Sequence, residues 1–340
     1  MIRCFIIIFY AFFVFFTPLS HTNAQEQDSA APAVDPVRLL INIPARWIRL
    51  YNNDICTAAY PVAVGKPATP TPTGNFKVID KEINPTWIDP DDLSVQIPSG
   101  EDNPLGYRWI GIGGNYGIHG TNRPSSIGSF TSNGCVRVKE ENIEALFPKV
   151  EIGTPVKIIY DRLVVEKASN GSIAYYIYPD IYNTQALTVG SVIDRLKTFG
   201  VENFADIPSI REEISLANGS ANYVGFPINL AFEDRMLPFK AVKTGSGIYL
   251  PAYALAAAAN LSIDWDEKSK MLNSKYGSSA GIVKNDVVYI NLLDVDKVFN
   301  LQRDWQSPEF LRLLIKNSST DAPKEAFPSA KGVSKQMHLL

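Results

Sequence analysis

The amino-acid sequence predicts a mostly β first domain over residues 36–160 and a smaller α+β domain over residues 223–316. Two observations support this fold class. In the first range, short apolar runs alternate with turn residues and glycines, which is typical of short strands joined by tight loops. In the second range, a set of residues recurs at an offset of forty positions, which indicates two copies of one structural unit.

The first range contains a succession of strand patterns. Runs rich in β-forming residues occur at 39–43, 47–51, 58–64, 74–76 and 156–160. Asn52-Asn53-Asp54 supplies a turn between the second and third runs. One helix is predicted at 140–147, and it is expected to end there because Pro148 cannot continue a helix.

Residues 161–222 are predicted to connect the two domains. Two apolar runs, 163–165 and 173–178, flank Asn170-Gly171, which is a strong hairpin signal. Thr188 is a suitable N-cap for a helix that ends at Gly200, and a second helix is expected near 210–216.

The repeat in the second half rests on five identities at a single offset, which argues against coincidence. The pairs are Tyr249 and Tyr289, Asn260 and Asn300, Leu261 and Leu301, Asp264 and Asp304, and Trp265 and Trp305. Each unit is expected to form a strand, a helix through an apolar stretch, and a second strand that carries Asp-Trp.

The two ends of the chain have different compositions from the rest. Arg3 precedes an apolar run at 5–16, which is too short for a membrane span of ~20 residues. Small residues up to Ala24 favour cleavage before Gln25, so residues 1–24 are predicted to be a signal peptide of an exported protein. Residues 25–35 are expected to be a flexible lead-in, and 317–340 a disordered tail.

Composition excludes several classes of function. The net charge of −3 is not clustered, so no nucleic-acid partner is expected. His119 is the only histidine within the predicted domains, because His21 lies in the signal and His338 in the tail. Together with Cys56 and Cys135 it forms no ligand cluster, so no metal is expected.

Candidate chemistry concentrates around His119 and Cys135. A thiol is a useful nucleophile only as a thiolate, and a neighbouring imidazole can take its proton and later deliver it to a leaving amine. The sixteen-residue spacing suits two adjacent β elements joined by a glycine-rich loop. Gly134 would let a substrate carbonyl approach, with backbone N–H groups nearby as an oxyanion hole. Arg137 would share the strand face of Cys135 and could grip a substrate carboxylate.

The other cysteine of the predicted domains has a different context. Cys56 lies beside a strand, between Ile55 and Thr57, with no histidine near it in sequence. It therefore fits the interpretation of a small buried apolar residue.

The motif residues resemble the catalytic domain of the L,D-transpeptidase family over residues 36–160. The matching residues are His119-Gly120-Thr121 and Ser132-x-Gly134-Cys135-x-Arg137, supported by Tyr60-Pro61-Val62-Ala63-Val64-Gly65, Thr71-Pro72-Thr73-Gly74 and Asn84-Pro85-Thr86-Trp87. The resemblance implies a β-sandwich-like fold, with Cys135 as nucleophile and His119 as proton donor and acceptor. Ser132, Gly134 and Arg137 would shape the site, Ser132 and Gly134 at the oxyanion side and Arg137 at the substrate. Asn133 departs from the pattern, since many members carry a second histidine there.

What this resemblance implies is acyl transfer on peptidoglycan stem peptides without a cofactor. Cys135 would attack the bond before a terminal D-alanine of a tetrapeptide stem, and an amine from another stem would resolve the thioester into a cross-link. Such a protein would act in the cell envelope, in cell-wall organisation and cell shape, and would be a carbapenem target.

The repeat region, 223–316, resembles the copper amine oxidase N-terminal-like domain. The matching residues are Ile248-Tyr249-Leu250-Pro251 and Ser262-Ile263-Asp264-Trp265-Asp266, whereas Asn291 stands where the pattern usually has proline. The range holds no histidine or cysteine, so copper is not expected. This region is expected to be separable, so that a chain ending near Tyr160 would keep its activity on soluble peptides.

Two alternative functions remain open at this point. The same thioester route with water as acceptor would make the protein an L,D-carboxypeptidase or another hydrolase. A protein that only binds the cell wall is the non-enzymatic alternative, although binding alone needs no thiolate.

Overall fold

The structure is a computed structural model and describes residues 37–316. The predicted signal peptide (1–24), lead-in (25–35) and tail (317–340) lie outside the described residues. Between residues 37 and 316, no helix is long and apolar enough to cross a membrane. The described chain is mostly β, which the sequence predicts for residues 36–160.

The first part of the chain forms a mixed sheet. Its elements are β1 (Val37–Asn42), β2 (Trp47–Asn52), β3 (Ile55–Gly65), β4 (Gly74–Lys77), β5 (Asp80–Ile83), β6 (Trp87–Ile88), β7 (Gln96–Ile97), β8 (Arg108–Gly113), β9 (Tyr116–His119), β10 (Phe130–Ser132), β11 (Val136–Val138), α1 (Glu140–Leu146) and β12 (Pro155–Ile159). The strand order is β4-β12-β1-β2-β3-β11-β9-β8-β5, β10 pairs with β3, and β6 pairs with β7 apart from this sheet. The predicted strands and the predicted helix of this range are confirmed.

Alternation along the strands places the core of this part. In β2, Ile48 and Leu50 are buried while Arg49 and Tyr51 are partly exposed, because successive side chains point to opposite faces. Helix α1 buries its apolar side against the same core. Strands β9 and β11 lie inside the sheet with a partner on each side, so the chain that carries the candidate site is held on both edges.

The second part of the chain forms another sheet. Its elements are β13 (Leu163–Lys167), β14 (Ile173–Ile177), α2 (Val189–Lys197), α3 (Ile207–Leu216), β15 (Asn222–Phe232), β16 (Arg235–Thr244), β17 (Gly247–Pro251), α4 (Ala252–Ala258), β18 (Ile263–Asp266), β19 (Met271–Ser274), β20 (Ser278–Lys284), β21 (Val287–Asn291), α5 (Val295–Phe299), β22 (Leu301–Ser307) and β23 (Phe310–Ile315). The order is β13-β14-β15-β16-β17-β21-β20-β19-β18, and β23 pairs with β15 and β22. The hairpin β13–β14 pairs with β15, so this sheet continues across the boundary at residue 222.

Local sequence explains the helices between β14 and β15. Thr188 caps α2, since its side chain accepts a hydrogen bond from the backbone of Ser191, which reciprocates. The helix ends at Lys197, earlier than the predicted Gly200, and Gly200 has a φ of +75° that closes the turn. Asp206 caps α3 in a similar way, by accepting from the backbone of Ser209.

Residues forty positions apart have equivalent structural places in the second sheet. Strands β17 and β21 pair antiparallel with each other. Asn260 and Asn300 both adopt the left-handed backbone, with φ of 50° and 54°, which asparagine tolerates at the end of a helix. The rings of Tyr249 and Tyr289 both pack on Phe204, with centroids 5.9 Å and 4.9 Å away.

Candidate active site

The sheet brings His119 and the residues around Cys135 together. Strands β9 and β11 are parallel neighbours, with Val136 opposite Ile118 and Arg137 opposite His119. The expectation that the sixteen-residue spacing corresponds to adjacent β elements is therefore confirmed. Cys135 lies immediately before β11, at the end of a turn.

His119 is a buried, neutral imidazole. Its Nδ1 lies 2.7 Å from the carbonyl oxygen of Gly120, which can only accept, so Nδ1 carries the proton and Nε2 keeps its lone pair. The ring of Trp109 stacks on the imidazole at 5.8 Å between centroids. The pKa of His119 is lowered to about 4, mainly by burial and further by the charge of Arg137, while the carbonyls of Gly120 and Leu105 partly offset this lowering. At neutral pH the imidazole can therefore accept a proton.

Cys135 is a half-buried thiol. Burial raises its pKa, while the backbone of Gly117 and the charge of Arg137 partly offset that effect. Its Sγ lies 3.6 Å from the carbonyl oxygen of Asn115, a weak hydrogen bond. Because the thiol pKa is raised and the imidazole pKa is lowered, the resting pair is a neutral thiol and a neutral His119. A proton then has to move to the imidazole as the sulfur attacks, not before.

Ser132 and Gly134 shape the turn that presents Cys135. The buried Ser132 hydroxyl donates to the carbonyl of Cys135 at 2.6 Å and accepts from the N–H of Gly134 at 3.1 Å. Gly134 has a φ of +112°, and a Cβ there would lie 2.6 Å from a ring carbon of Tyr116, so only glycine fits. Since the N–H of Gly134 is already bonded within the turn, the structure ties both residues to the shape of the turn. Their oxyanion role stays a prediction.

Two arginines make the site electropositive. Arg137 is half-buried in β11, two positions after Cys135, and its charge acts on the Cys135 thiol. Burial lowers the pKa of Arg137, and the charge of nearby Arg123 lowers it further. Arg123 lies outside the sequence motifs, which give no sign of its place at the site. An anionic substrate group would relieve the repulsion between the two guanidinium groups.

Glu140, a residue that the sequence motifs do not indicate either, anchors the chain that follows His119. Its carboxylate accepts from the N–H of Thr121 at 2.6 Å and from the N–H of Tyr107 at 3.1 Å. Gly106 and Gly120 flank this carboxylate, and a Cβ on either would lie 1.8 Å from Oε1. The first residue of α1 thus holds two loops in register with β9.

Thr71 anchors the turn that ends at Cys135 by side-chain hydrogen bonds. Its hydroxyl donates to the carbonyl of Gly134 at 2.9 Å and accepts from the N–H of Gly65 at 2.8 Å. Thr69 Oγ1 adds a bond of 3.1 Å to the carbonyl of Ser132. The loop of residues 66–73, here called the Pro/Thr loop, therefore bonds to the Ser132 and Gly134 carbonyls of the turn, although the sequence identified it only as part of a motif.

Cys56 corrects one expectation. Its side chain is exposed rather than buried, with a weak contact of 3.5 Å to the carbonyl of Ala58. The physical reason is that the first residues of β3 extend beyond the core, which begins at Val62. Over residues 37–316, no group of three or more His, Cys, Asp or Glu side chains could hold a metal ion.

Comparison with known proteins identifies a family. The family model for the L,D-transpeptidase catalytic domain matches residues 36–158. YkuD of Bacillus licheniformis, named as an L,D-transpeptidase, is 36% identical over 128 residues, which are 37% of this chain and 68% of that protein. YqjB of Bacillus subtilis, also so named, is 43% identical over 115 residues, which are 32% of this chain and 62% of that protein.

Two further comparisons cover other lengths. YbiS of Escherichia coli strain K12, named as an L,D-transpeptidase, is 30% identical over 183 residues, or 50% of this chain and 60% of that protein. The chain thus spans less than two thirds of both YqjB and YbiS. The solved catalytic domain of an L,D-transpeptidase from E. faecium is 27% identical, covers 37% of this chain and 99% of that chain, and has a TM-score of 0.32, which adds nothing to the assignment.

Proposed function

Because the chain belongs to the L,D-transpeptidase family, we propose that it cross-links peptidoglycan by acyl transfer through Cys135. One observation supports this function above the others. A neutral imidazole, with Nδ1 bonded to a backbone carbonyl and Nε2 left as a base, lies one strand away from a half-buried thiol. This pair suits nucleophilic catalysis, in which the base takes the thiol proton during attack.

In the first half-reaction, Cys135 Sγ attacks the carbonyl carbon of the L,D-peptide bond before a terminal D-alanine. The thiol proton passes to His119 and then to the nitrogen of the leaving D-alanine, as the C–N bond breaks and a thioester forms. The carbonyls of Gly120 and Leu105 favour the protonated ring, so they stabilise the imidazolium during this step. His119 is therefore neutral again when D-alanine departs, and the sulfur is held in the thioester.

In the second half-reaction, an amine of another stem attacks the thioester. His119 accepts a proton from that amine and returns it to the sulfur as the C–S bond breaks, which regenerates the resting pair. Arg137 and Arg123 lie close enough to influence each other, and together they would hold carboxylates of the acidic stems.

Incubation of the protein with purified tetrapeptide stems, followed by mass spectrometry of the products, tests this function. A cross-linked dimer with release of D-alanine supports transpeptidation. A trimmed tripeptide alone would make the protein a carboxypeptidase that uses the same thioester, and no product would leave only a wall-binding protein. Cys135→Ser is the inactive control, and Cys56→Ser is the matched control at the other thiol.

Export and carbapenem sensitivity are part of the same proposal. Residues 1–24 have the composition of a cleaved signal peptide, so the protein would work in the cell envelope. N-terminal sequencing of secreted protein should recover Gln25, whereas Met1 would contradict export by cleavage. A carbapenem should add once, at Cys135, because its reactive carbonyl takes the place of the donor amide.

For residues 223–316 we propose an accessory domain of the copper amine oxidase N-terminal-like type that holds the enzyme on the wall without copper. Two similar units paired through β17 and β21, with equivalent asparagines and tyrosines, support this proposal. Co-sedimentation with insoluble peptidoglycan should retain the full chain better than a folded chain ending before residue 223. Equal retention of the two would contradict it.

A further inference from the structure

The hydroxyl of Tyr182 closes the Pro/Thr loop beneath the candidate active site. It donates to the carbonyl oxygen of Gly65 at 2.6 Å and accepts from the N–H of Thr71 at 3.2 Å. Gly65 is the last residue of β3, and Thr71 lies in the loop between β3 and β4. A single phenol therefore ties this loop to the end of β3.

The loop passes this constraint to the nucleophile. Thr71, whose N–H bonds to Tyr182, donates its own hydroxyl to the carbonyl of Gly134 at 2.9 Å. That carbonyl belongs to the peptide bond between Gly134 and Cys135. Two hydrogen bonds through Thr71 thus lead from the phenol to the peptide bond of Cys135, and bonds in such a chain strengthen one another.

Tyr182 is itself held in place. Its N–H donates to the hydroxyl of Tyr160 at 3.0 Å, and that hydroxyl donates to Asp180 at 2.8 Å. The Tyr160 and Tyr182 rings stack with centroids 5.3 Å apart, and Phe130 of β10 meets Tyr182 edge-on at 6.3 Å. Burial raises the pKa of Tyr182, so the phenol keeps the proton that it donates.

We propose that Tyr182 is a positioning residue for Cys135, supplied by a segment outside the matched catalytic range of 36–158. It acts through Thr71 and Gly134 on the direction in which the thiol points. This inference rests on the proposed function, because positioning is useful only if Cys135 attacks. It implies that the catalytic unit extends at least to residue 182.

Tyr182→Phe tests the inference in the full chain, since it removes only the hydroxyl and keeps the ring contacts. The matched control is Tyr176→Phe, which removes another half-buried phenol, on β14. Within residues 37–316, the Tyr176 hydroxyl makes no hydrogen bond to the Pro/Thr loop or to the Cys135 turn. We expect Tyr182→Phe to lower kcat for stem peptides about tenfold, with KM within about threefold and Tm within ~4 °C of wild type.

A second readout keeps the inference separate from the proposed function. The pH profile of Cys135 alkylation by iodoacetamide reports the pKa of the thiol. The alkylation is followed by mass spectrometry on the peptide that contains Cys135. Burial raises the Cys135 pKa, so a looser turn in Tyr182→Phe should shift the midpoint to lower pH. If wild type makes no product from stems, the proposed function fails, but this comparison still tests Tyr182. Equal kcat and equal midpoints for Tyr182→Phe and Tyr176→Phe would overturn the inference.

Variants of the intermediate link complete the test. Thr71→Val keeps the shape and removes the hydroxyl, so it should lower kcat like Tyr182→Phe, whereas Thr71→Ser should restore most of it. The double variant Tyr182→Phe/Thr71→Val should be little worse than either single one, because both cut the same chain of bonds. Fully additive losses would show two independent effects and would overturn the positioning account.

Discussion

Cys135 and Cys56 are the same residue type in two different regions of one molecule. Cys135 ends a turn in which the Ser132 hydroxyl bonds to the Cys135 carbonyl and to the Gly134 N–H. Arg137 follows two positions later, and His119 lies opposite Arg137 on the neighbouring strand. Cys56 lies on an exposed strand end with one weak contact to a backbone carbonyl. The surroundings, rather than the thiol itself, therefore make a nucleophile.

Strand β3 connects these two regions. Its first residues, which include Cys56, are exposed, while its last residues, from Val62 to Gly65, are buried. The buried end pairs with both β10 and β11, on either side of the Cys135 turn. The buried end of β3, paired on both sides of the turn, is therefore part of what makes the surroundings of the two thiols different.

The largest expected effect comes from the thiols themselves. Cys135→Ser should lower the rate of product formation at least about a thousandfold, because a hydroxyl beside a neutral imidazole is a much weaker nucleophile. Cys56→Ser should stay within about twofold of wild type. Steady-state assay with tetrapeptide stems measures both, and equal losses would mean that the two cysteines act together.

Removal of the base should be almost as severe. His119→Ala is expected to lower kcat by about 10²–10⁴, the usual range for a positioned general base. In wild type, the acid limb of kcat/KM should have its midpoint near pH 4, because the free base is needed and burial lowers the pKa of His119 to about 4. A midpoint near the ordinary value of about 6.5 would contradict the buried, neutral imidazole.

The same shift has a consequence for stability. The unfolded chain takes up a proton at His119 near pH 6.5, whereas the folded chain does so only near pH 4. The free energy of unfolding should therefore fall as pH drops through this window, by up to about 3 kcal/mol from this residue. Urea unfolding of His119→Gln is the control, and its stability should depend less steeply on pH between these values.

A smaller effect should come from the turn. Gly134→Ala places a Cβ 2.6 Å from the Tyr116 ring and should lower activity about tenfold or more by displacing Cys135. Gly128→Ala is the matched control, because Gly128 also has a positive φ, +83°, but open space around it. Both variants should lose ~1–2 kcal/mol of stability from the backbone. Similar activities in the two would show that the contact with Tyr116 is unimportant.

The smallest effect is expected at Asn133. Asn133→His introduces the second histidine that the family resemblance leads us to expect at this position. Activity should change by no more than about threefold, since proton transfer is assigned to His119. Activity of the His119→Ala/Asn133→His double variant would be the informative result. Rescue there would mean that a second imidazole can serve as base.

Many of the strands, turns and caps of the described chain could be predicted from local sequence. Strand alternation, turn residues and the spacing of His119 and Cys135 depend on near neighbours in the chain. That spacing predicted two adjacent β elements, and the structure has them as the neighbouring strands β9 and β11. The cap at Thr188 and the hairpin at Asn170-Gly171 are equally local. Such features are encoded within a few residues of where they act.

The missed residues act over long separations. Glu140 holds the N–H of Tyr107, 33 positions away, and Tyr182 bonds to Gly65, 117 positions away. No periodicity or motif reports such contacts. Local patterns therefore end the catalytic unit at 160 and predict that a chain ending near Tyr160 stays active. The bonds of Tyr182 give a physical reason to expect a loss instead.

The most direct test of the account is where the acyl group goes. The protein is mixed with a tetrapeptide stem, quenched in acid within one turnover, digested and analysed by mass spectrometry. The account predicts a tripeptide acyl group on the peptide that contains Cys135, an equal amount of free D-alanine, and an unmodified Cys56 peptide. Acylation of Cys56, or release of D-alanine by Cys135→Ser, would contradict it.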